Sequence, residues 1–140
     1  MNEKLTRREI REGVFLLLYQ NEVTGSPVEE CAEACEEAYD MSLNGEMTKE
    51  AQAVIDKYEE LDNIIAKYSE KREVARIPKI NKTILRLALY EINYYGNMIP
   101  PKGAVNEAIE LAKKYSDKQD SSFINGVLGN YLKQTGKDAE

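Results

Sequence analysis

Apolar residues recur along almost the whole chain at the three- and four-residue spacing of an amphipathic helix. No convincing run alternates apolar and polar residues between turn signals, as a half-buried strand would. The pattern therefore predicts an all-α protein. At 140 residues the expected architecture is one compact bundle of about six to seven helices, with residues 1–140 forming a single domain.

Capping signals predict where the first two helices begin and end. Thr6 and Glu9 have the spacing of a capping box, so the first helix begins near Thr6, and it ends by Gly25. Ser26-Pro27 begins the second helix, with serine as the cap and proline at the first helical position.

The rest of the chain predicts four more helices. A long third helix is expected from Thr48 to about Ser69. A break in helical structure is expected at Pro78, because the residue before a proline is pushed out of the helical region. The next helix, about 81–95, is apolar in nearly every direction, which is typical of a helix surrounded by others. Pro100-Pro101 opens the fifth helix. In the last helix, FINGVLGNYL, two internal glycines suggest close approach by a neighbouring element.

The distribution of charge limits where a polyanion can bind. The net charge is −6, but residues 1–20 carry +1, residues 21–75 carry −10 and residues 76–140 carry +3. A nucleic-acid site is therefore expected on the two ends of the sequence. No apolar run approaches the roughly 20 residues that span a bilayer, and the N-terminus has no signal-peptide pattern. We expect a cytoplasmic protein with no membrane partner.

No catalytic constellation is recognisable, so we expect a protein that is not an enzyme and needs no cofactor. The chain has no histidine, no G-x-S-x-G motif and no glycine-rich phosphate loop. Cys31 and Cys35 share a helical face and are interpreted as core residues rather than as zinc ligands. The carboxylates of the second and third helices are interpreted as a solvated acidic face rather than a metal site.

A basic stripe marks the first helix. Lys4, Arg7, Arg8 and Arg11 follow the i, i+3, i+4, i+7 spacing that puts four side chains on one side of a helix, away from Ile10 and its apolar neighbours. Such a stripe is suited to neutralising phosphates, with binding that weakens as salt increases. An ordinary solvated face remains the alternative, because acidic residues are interleaved with the basic ones.

Four segments together resemble the NusB family of transcription antitermination factors. They are TRREIREGVFLLLYQ at the start and INKTILRLALYEI, PPKGAVNEAIELAKKY and FINGVLGNYL from residue 80 onward. Residues 21–75 are similar to the family only in being helical. The resemblance implies an all-helical, non-catalytic protein that pairs with NusE, a small-subunit ribosomal protein, and binds the boxA element of nascent RNA. The complex helps RNA polymerase pass terminators, notably in ribosomal RNA operons.

The family's RNA surface combines the N-terminal arginine helix with the turn leading into FINGV. By resemblance, the RNA-binding residues expected here are Lys4, Arg7, Arg8, Arg11, Tyr19, Asn81, Lys102, Gln119, Asp120, Ser121, Ser122, Phe123 and Asn125. For Phe123 and Tyr19 both a core position and a ring that stacks on a base remain open.

The sequence departs from the family near this surface. The family usually has acidic residues at the positions of Asn81 and Gln119, and a basic residue at that of Ser122. Two other functions therefore remain open: a helical protein adaptor that does not bind RNA, and a NusB-like RNA-binding domain serving ribosomal RNA modification. Both a monomer and a homodimer are compatible with the sequence.

Overall fold

The computed structural model of the chain describes residues 5–39, 43–69 and 73–138. Those residues form seven α-helices and one 3₁₀ turn, with no strand among them, which confirms the all-α prediction. The helices are α1 (Arg7–Thr24), α2 (Val28–Tyr39), α3 (Gly45–Ile55), α4 (Tyr58–Tyr68), α5 (Lys79–Tyr94), α6 (Pro101–Tyr115) and α7 (Lys118–Thr135), and the 3₁₀ turn is Val74–Arg76.

The chain divides into two compact units, Met1–Asp56 and Lys57–Glu140. The first unit contains α1, α2 and α3, and the second contains α4 to α7. The single domain expected for residues 1–140 stays a prediction.

Helix α1 begins and ends where the capping signals predict. The Thr6 hydroxyl accepts a hydrogen bond from the Glu9 backbone N–H at 3.1 Å, and the Glu9 carboxylate accepts one from the Thr6 N–H at 2.8 Å. This reciprocal pair satisfies two N–H groups that have no partner within the helix. At the other end Gly25 has φ +73°, a left-handed conformation that glycine adopts without steric cost.

Close packing of α1 on α3 leaves no room for a side chain at position 13 unless Met47 shifts. A Cβ there would collide with the sulfur of Met47 and lie 2.9 Å from its Cε. Met47 is itself fully buried. A larger residue would therefore force a core side chain out of place.

The two cysteines of α2 are core residues, as predicted. Cys31 and Cys35 are both free thiols and both buried. The Cys35 thiol donates to the Leu16 carbonyl oxygen at 3.7 Å, and burial raises its pKa to about 11. Tyr39, four residues after Cys35 on the same helix, is 46% exposed.

The long third helix predicted from Thr48 to Ser69 is wrong, because two helices, α3 and α4, occupy that region. Helix α3 starts earlier, where the Asn44 side chain accepts from the Met47 backbone N–H at 2.9 Å. The helix then stops before Lys57, whose φ of −108° and ψ of 11° lie outside the helical region.

Helix α5 is the centre of the second unit and contacts α4, α6 and α7. Residues 83–92 are all buried, which confirms the prediction of a helix surrounded by others. Arg86 is buried among them because Nε and Nη2 each donate to a carboxylate oxygen of Asp62 at 2.8 Å. Its guanidinium also lies 3.8 Å from the centre of the Tyr58 ring.

Helices α6 and α7 complete this unit. Pro101 occupies the first turn of α6, as predicted. Helix α7 buries one face, and its Tyr131 hydroxyl donates to Asn93 at 2.7 Å. The close approach expected at Gly126 and Gly129 is wrong, because a Cβ at either position would have no atom within 4 Å.

Candidate nucleic-acid interface

Two of the four basic residues predicted on the first helix are engaged or buried within the fold. The two Arg7 terminal nitrogens donate to the two Glu50 carboxylate oxygens at 2.8 and 2.6 Å. The Arg7 side chain is 29% exposed and that of Glu50 only 5%. Arg11 is 4% exposed, so the prediction of a stripe wholly on the solvent side is wrong.

The remaining members of the stripe differ. Arg8 is exposed on the first turn of α1. Lys4 lies outside the described residues.

Tyr19 is half-buried, and its ring is stacked on that of Phe15 with the planes 10° apart. One face of Tyr19 is therefore occupied by a core residue.

A polar network holds the corner between α6 and α7. The Asp117 carboxylate caps α7 by accepting from the Asp120 backbone N–H at 2.8 Å. Ser116, which directly follows α6, donates its hydroxyl hydrogen to the Asp120 carboxylate at 2.5 Å. The same hydroxyl lies 3.5 Å from Oδ1 of Asn81, so the network also reaches the first turn of α5.

Two residues predicted to contact RNA are buried in this corner. Asn81 is 0% exposed, and its Nδ2 has no hydrogen-bond partner among the residues that the structure describes. Ser121 is 8% exposed and donates to the Lys118 carbonyl oxygen at 2.9 Å. Direct contact with RNA is excluded for Asn81 in this conformation, so any role it has is to position the corner.

The residues predicted on the outer side of α7 do form an exposed polar face. Gln119, Ser122 and Asn125 are exposed at i, i+3 and i+6, with Asp120 half-buried beside them. Lys118, which the sequence analysis did not select, is exposed at the first position of the same helix. Lys102 is exposed on the first turn of α6.

Phe123 is half-buried at the side of a cavity of about 330 Å³ in the second unit. The cavity lies between the end of α4 and the first half of α7, and its lining residues are Tyr68, Ser69, Ser122, Phe123, Gly126, Val127 and Asn130. Apart from Ser122 and Phe123, these residues were missed by the sequence analysis. No pattern in the sequence predicts that Tyr68 of α4 lies near α7.

Within residues 5–39, 43–69 and 73–138, no group of three or more histidine, cysteine or acidic side chains is arranged to hold a metal ion. No helix in the described part of the chain is long and apolar enough to cross a membrane.

Comparison with known proteins relates the whole chain to one family. A sequence model of the NusB family matches residues 8–133. The transcription antitermination protein NusB of Thermoanaerobacter sp. (strain X514) is 38% identical over 133 residues, which cover 94% of this chain and 94% of that protein.

Solved structures share the fold. T. maritima NusB superposes with a TM-score of 0.78 at 27% identity, covering 97% of this chain and 99% of that one. The crystal structure of the antitermination factors NusB and NusE in complex with double-stranded RNA gives a TM-score of 0.72 at 26% identity, covering 91% of this chain and 96% of that one. Because both the family model and the similar sequence extend over nearly the full length, the chain belongs to the NusB family.

Proposed function

We propose that the chain is a transcription antitermination factor that binds the boxA element of nascent RNA together with NusE. The observation that carries this proposal is the similarity to NusB antitermination proteins along nearly the whole chain. The similar structure that contains NusB, NusE and double-stranded RNA supports both the partner and the ligand.

In this role the protein acts by assembly and has no catalytic activity. It acts in the cytoplasm, joins the RNA polymerase antitermination complex, and helps the polymerase read through terminators, notably in ribosomal RNA operons. In the second unit the exposed polar face of α7 and exposed Lys102 support contact with RNA, and in the first unit exposed Arg8 does so separately, because side chains must reach solvent to contact RNA.

The buried members of the predicted set serve this surface indirectly. Arg7 holds α1 against Glu50 of α3, and Asn81 adjoins the network that fixes the start of α7. Both are positioning residues. Arg8 is the residue of the stripe whose replacement tests phosphate contact most directly, since it is exposed in the described structure.

A protein adaptor that binds NusE without RNA is the second candidate. The specific observation in its favour is the loss of cationic surface on α1, where Arg7 is paired with Glu50 and Arg11 is buried. The two functions differ in whether RNA adds to the complex with NusE.

Fluorescence anisotropy of a labelled boxA RNA, with and without NusE, distinguishes them. We expect weak binding by the chain alone, tighter binding with NusE, and loss of binding when boxA is scrambled. Arg8→Ala should weaken binding and reduce the slope of log K against log salt by about 0.7, the value of one phosphate contact to a single strand. Arg76→Ala, at an exposed arginine of the 3₁₀ turn, is the matched control and should leave the slope unchanged.

The result that contradicts the proposal is equally specific. If NusE binds the chain but boxA adds nothing at 50 or at 200 mM salt, about the range over which phosphate contacts weaken strongly, the adaptor function replaces antitermination through RNA. If RNA binds but Arg8→Ala and Arg76→Ala have equal effects, the α1 surface is not the one that contacts phosphate.

A further inference from the structure

Two glycines in α7 have no packing role that would explain them. Glycine in a helix interior is destabilising relative to alanine. A Cβ at Gly126 or at Gly129 would meet no atom within 4 Å, so neither is needed for close approach. They differ in one respect, since Gly126 lines the 330 Å³ cavity and Gly129 does not.

The cavity has walls that suit a planar aromatic group. Phe123 and Tyr68 contribute aromatic rings from α7 and α4. The Tyr68 ring is held by an edge-to-face contact with Tyr131, with centroids 5.3 Å apart and planes at 78°. A ring fixed in this way contacts a ligand without losing further rotational freedom.

Polar groups complete the lining. Ser69, Ser122 and Asn130 bring hydroxyl and amide groups able to donate and to accept hydrogen bonds. These groups can bond both donors and acceptors at the edge of a planar ligand.

We propose that this cavity binds one unstacked nucleobase of the RNA, and that Gly126 is the residue that keeps it open. This inference rests on the proposed function for the RNA itself, and it adds the binding mode and three residues, Tyr68, Gly126 and Asn130. Aromatic faces stack on any base, while the amide of Asn130 reads the base edge.

The size and position of the cavity support a single base. Its volume is at the lower end of the roughly 300–1,000 Å³ usual for small-molecule sites. Ser122 belongs both to its lining and to the exposed polar face of α7, so the cavity adjoins that face.

The test compares Gly126→Leu with Gly129→Leu. Both variants add the same side chain to the same helix, where the new Cβ meets no atom, and leucine favours the helix. Gly126→Leu should fill part of the cavity and weaken boxA binding by about 5- to 150-fold, the contribution of one stacked base. Gly129→Leu should bind within about twofold of the unmodified chain.

A second measurement does not depend on boxA. Titration of the ¹⁵N-labelled chain with the four nucleoside 5′-monophosphates should shift the amide signals of Gly126 and Asn130, both in the unmodified chain and in Gly129→Leu. In Gly126→Leu the amide signals of position 126 and of Asn130 should not shift.

Three outcomes would overturn the inference. Equal boxA affinity of the two leucine variants would leave the proposed function intact and remove the cavity from RNA binding. Weaker binding of NusE by Gly126→Leu, with RNA binding unchanged, would assign the cavity to a side chain of that partner. If the unmodified chain binds no RNA, the proposed function fails. If the monophosphates also cause no shifts, nucleobase binding in the cavity is rejected independently.

Discussion

Arg7 and Arg8 are neighbours in the sequence, but their replacement by alanine should have very different effects on stability. Arg7→Ala removes two hydrogen bonds, at 2.8 and 2.6 Å, from a Glu50 carboxylate whose side chain is only 5% exposed. Arg8 is exposed, and surface replacements usually change stability by less than about 0.5 kcal/mol.

The size of the Arg7 effect follows from the two exposures. Breaking a fully buried ion pair costs about 3–5 kcal/mol, because one charge is left buried, whereas an exposed pair contributes about 0.2–1 kcal/mol. The Arg7 side chain is 29% exposed, so water can partly solvate Glu50 once Arg7 is gone. We therefore expect a loss of about 2 kcal/mol.

Urea unfolding followed by circular dichroism measures this difference directly. The double variant Arg7→Ala/Glu50→Gln should recover part of the loss, because the unpaired carboxylate is removed with its partner. Equal midpoints for Arg7→Ala and Arg8→Ala, or a double variant less stable than Arg7→Ala, would refute a structural role of the pair. The same measurement decides whether an RNA-binding defect of an Arg7 variant reflects lost contact or lost fold.

Three further predictions concern stability. Gly13→Ala should lower the free energy of unfolding by about 1–3 kcal/mol despite its better helix propensity, since its Cβ would collide with buried Met47; an increase in the urea midpoint would contradict this. Asp62→Ala should cost about 2 kcal/mol, because it removes the 30% exposed member of an ion pair and leaves the Arg86 guanidinium, in a side chain 7% exposed, without the Asp62 carboxylate; a change under about 0.5 kcal/mol would contradict this. The Cys35 pKa is raised from 9.0 to about 11, so the folded state holds the thiol proton more tightly than the unfolded state does. The resulting stabilisation is complete below pH 9 and is lost as the pH rises toward 11. Between pH 9 and 11 the free energy of unfolding of Cys35→Ala should therefore fall by about 2–3 kcal/mol less than that of the unmodified chain.

Local signals in the sequence predicted both ends of α1 and the start of α6 correctly, because their causes are local. Thr6 and Glu9, Gly25, and Pro101 each act within one turn of the helix that they begin or end. The break between α3 and α4 was missed for a different reason. Val54, Leu61 and Ile65 are all buried and keep helical spacing across the break, so periodicity alone reads the two helices as one.

The site was predicted less well, since its geometry depends on residues far apart in the sequence. Glu50 pairs with Arg7 from 43 residues away, and no pattern in the first helix announces this partner. The exposed positions of α7, such as Ser122, follow from helical spacing and were predictable. The cavity was not, because it requires Tyr68 of α4 to lie beside Phe123 of α7.

The buried thiols give the protein an internal reporter of its own opening. Only a thiolate reacts readily with alkylating reagents, and with a pKa of about 11 roughly one Cys35 side chain in ten thousand is ionised at pH 7. Cys31 and Cys35 are the only cysteines of the chain, and both belong to the unit Met1–Asp56. The rate at which they are alkylated under native conditions therefore measures how often that unit opens, without any engineered label and with no signal from Lys57–Glu140.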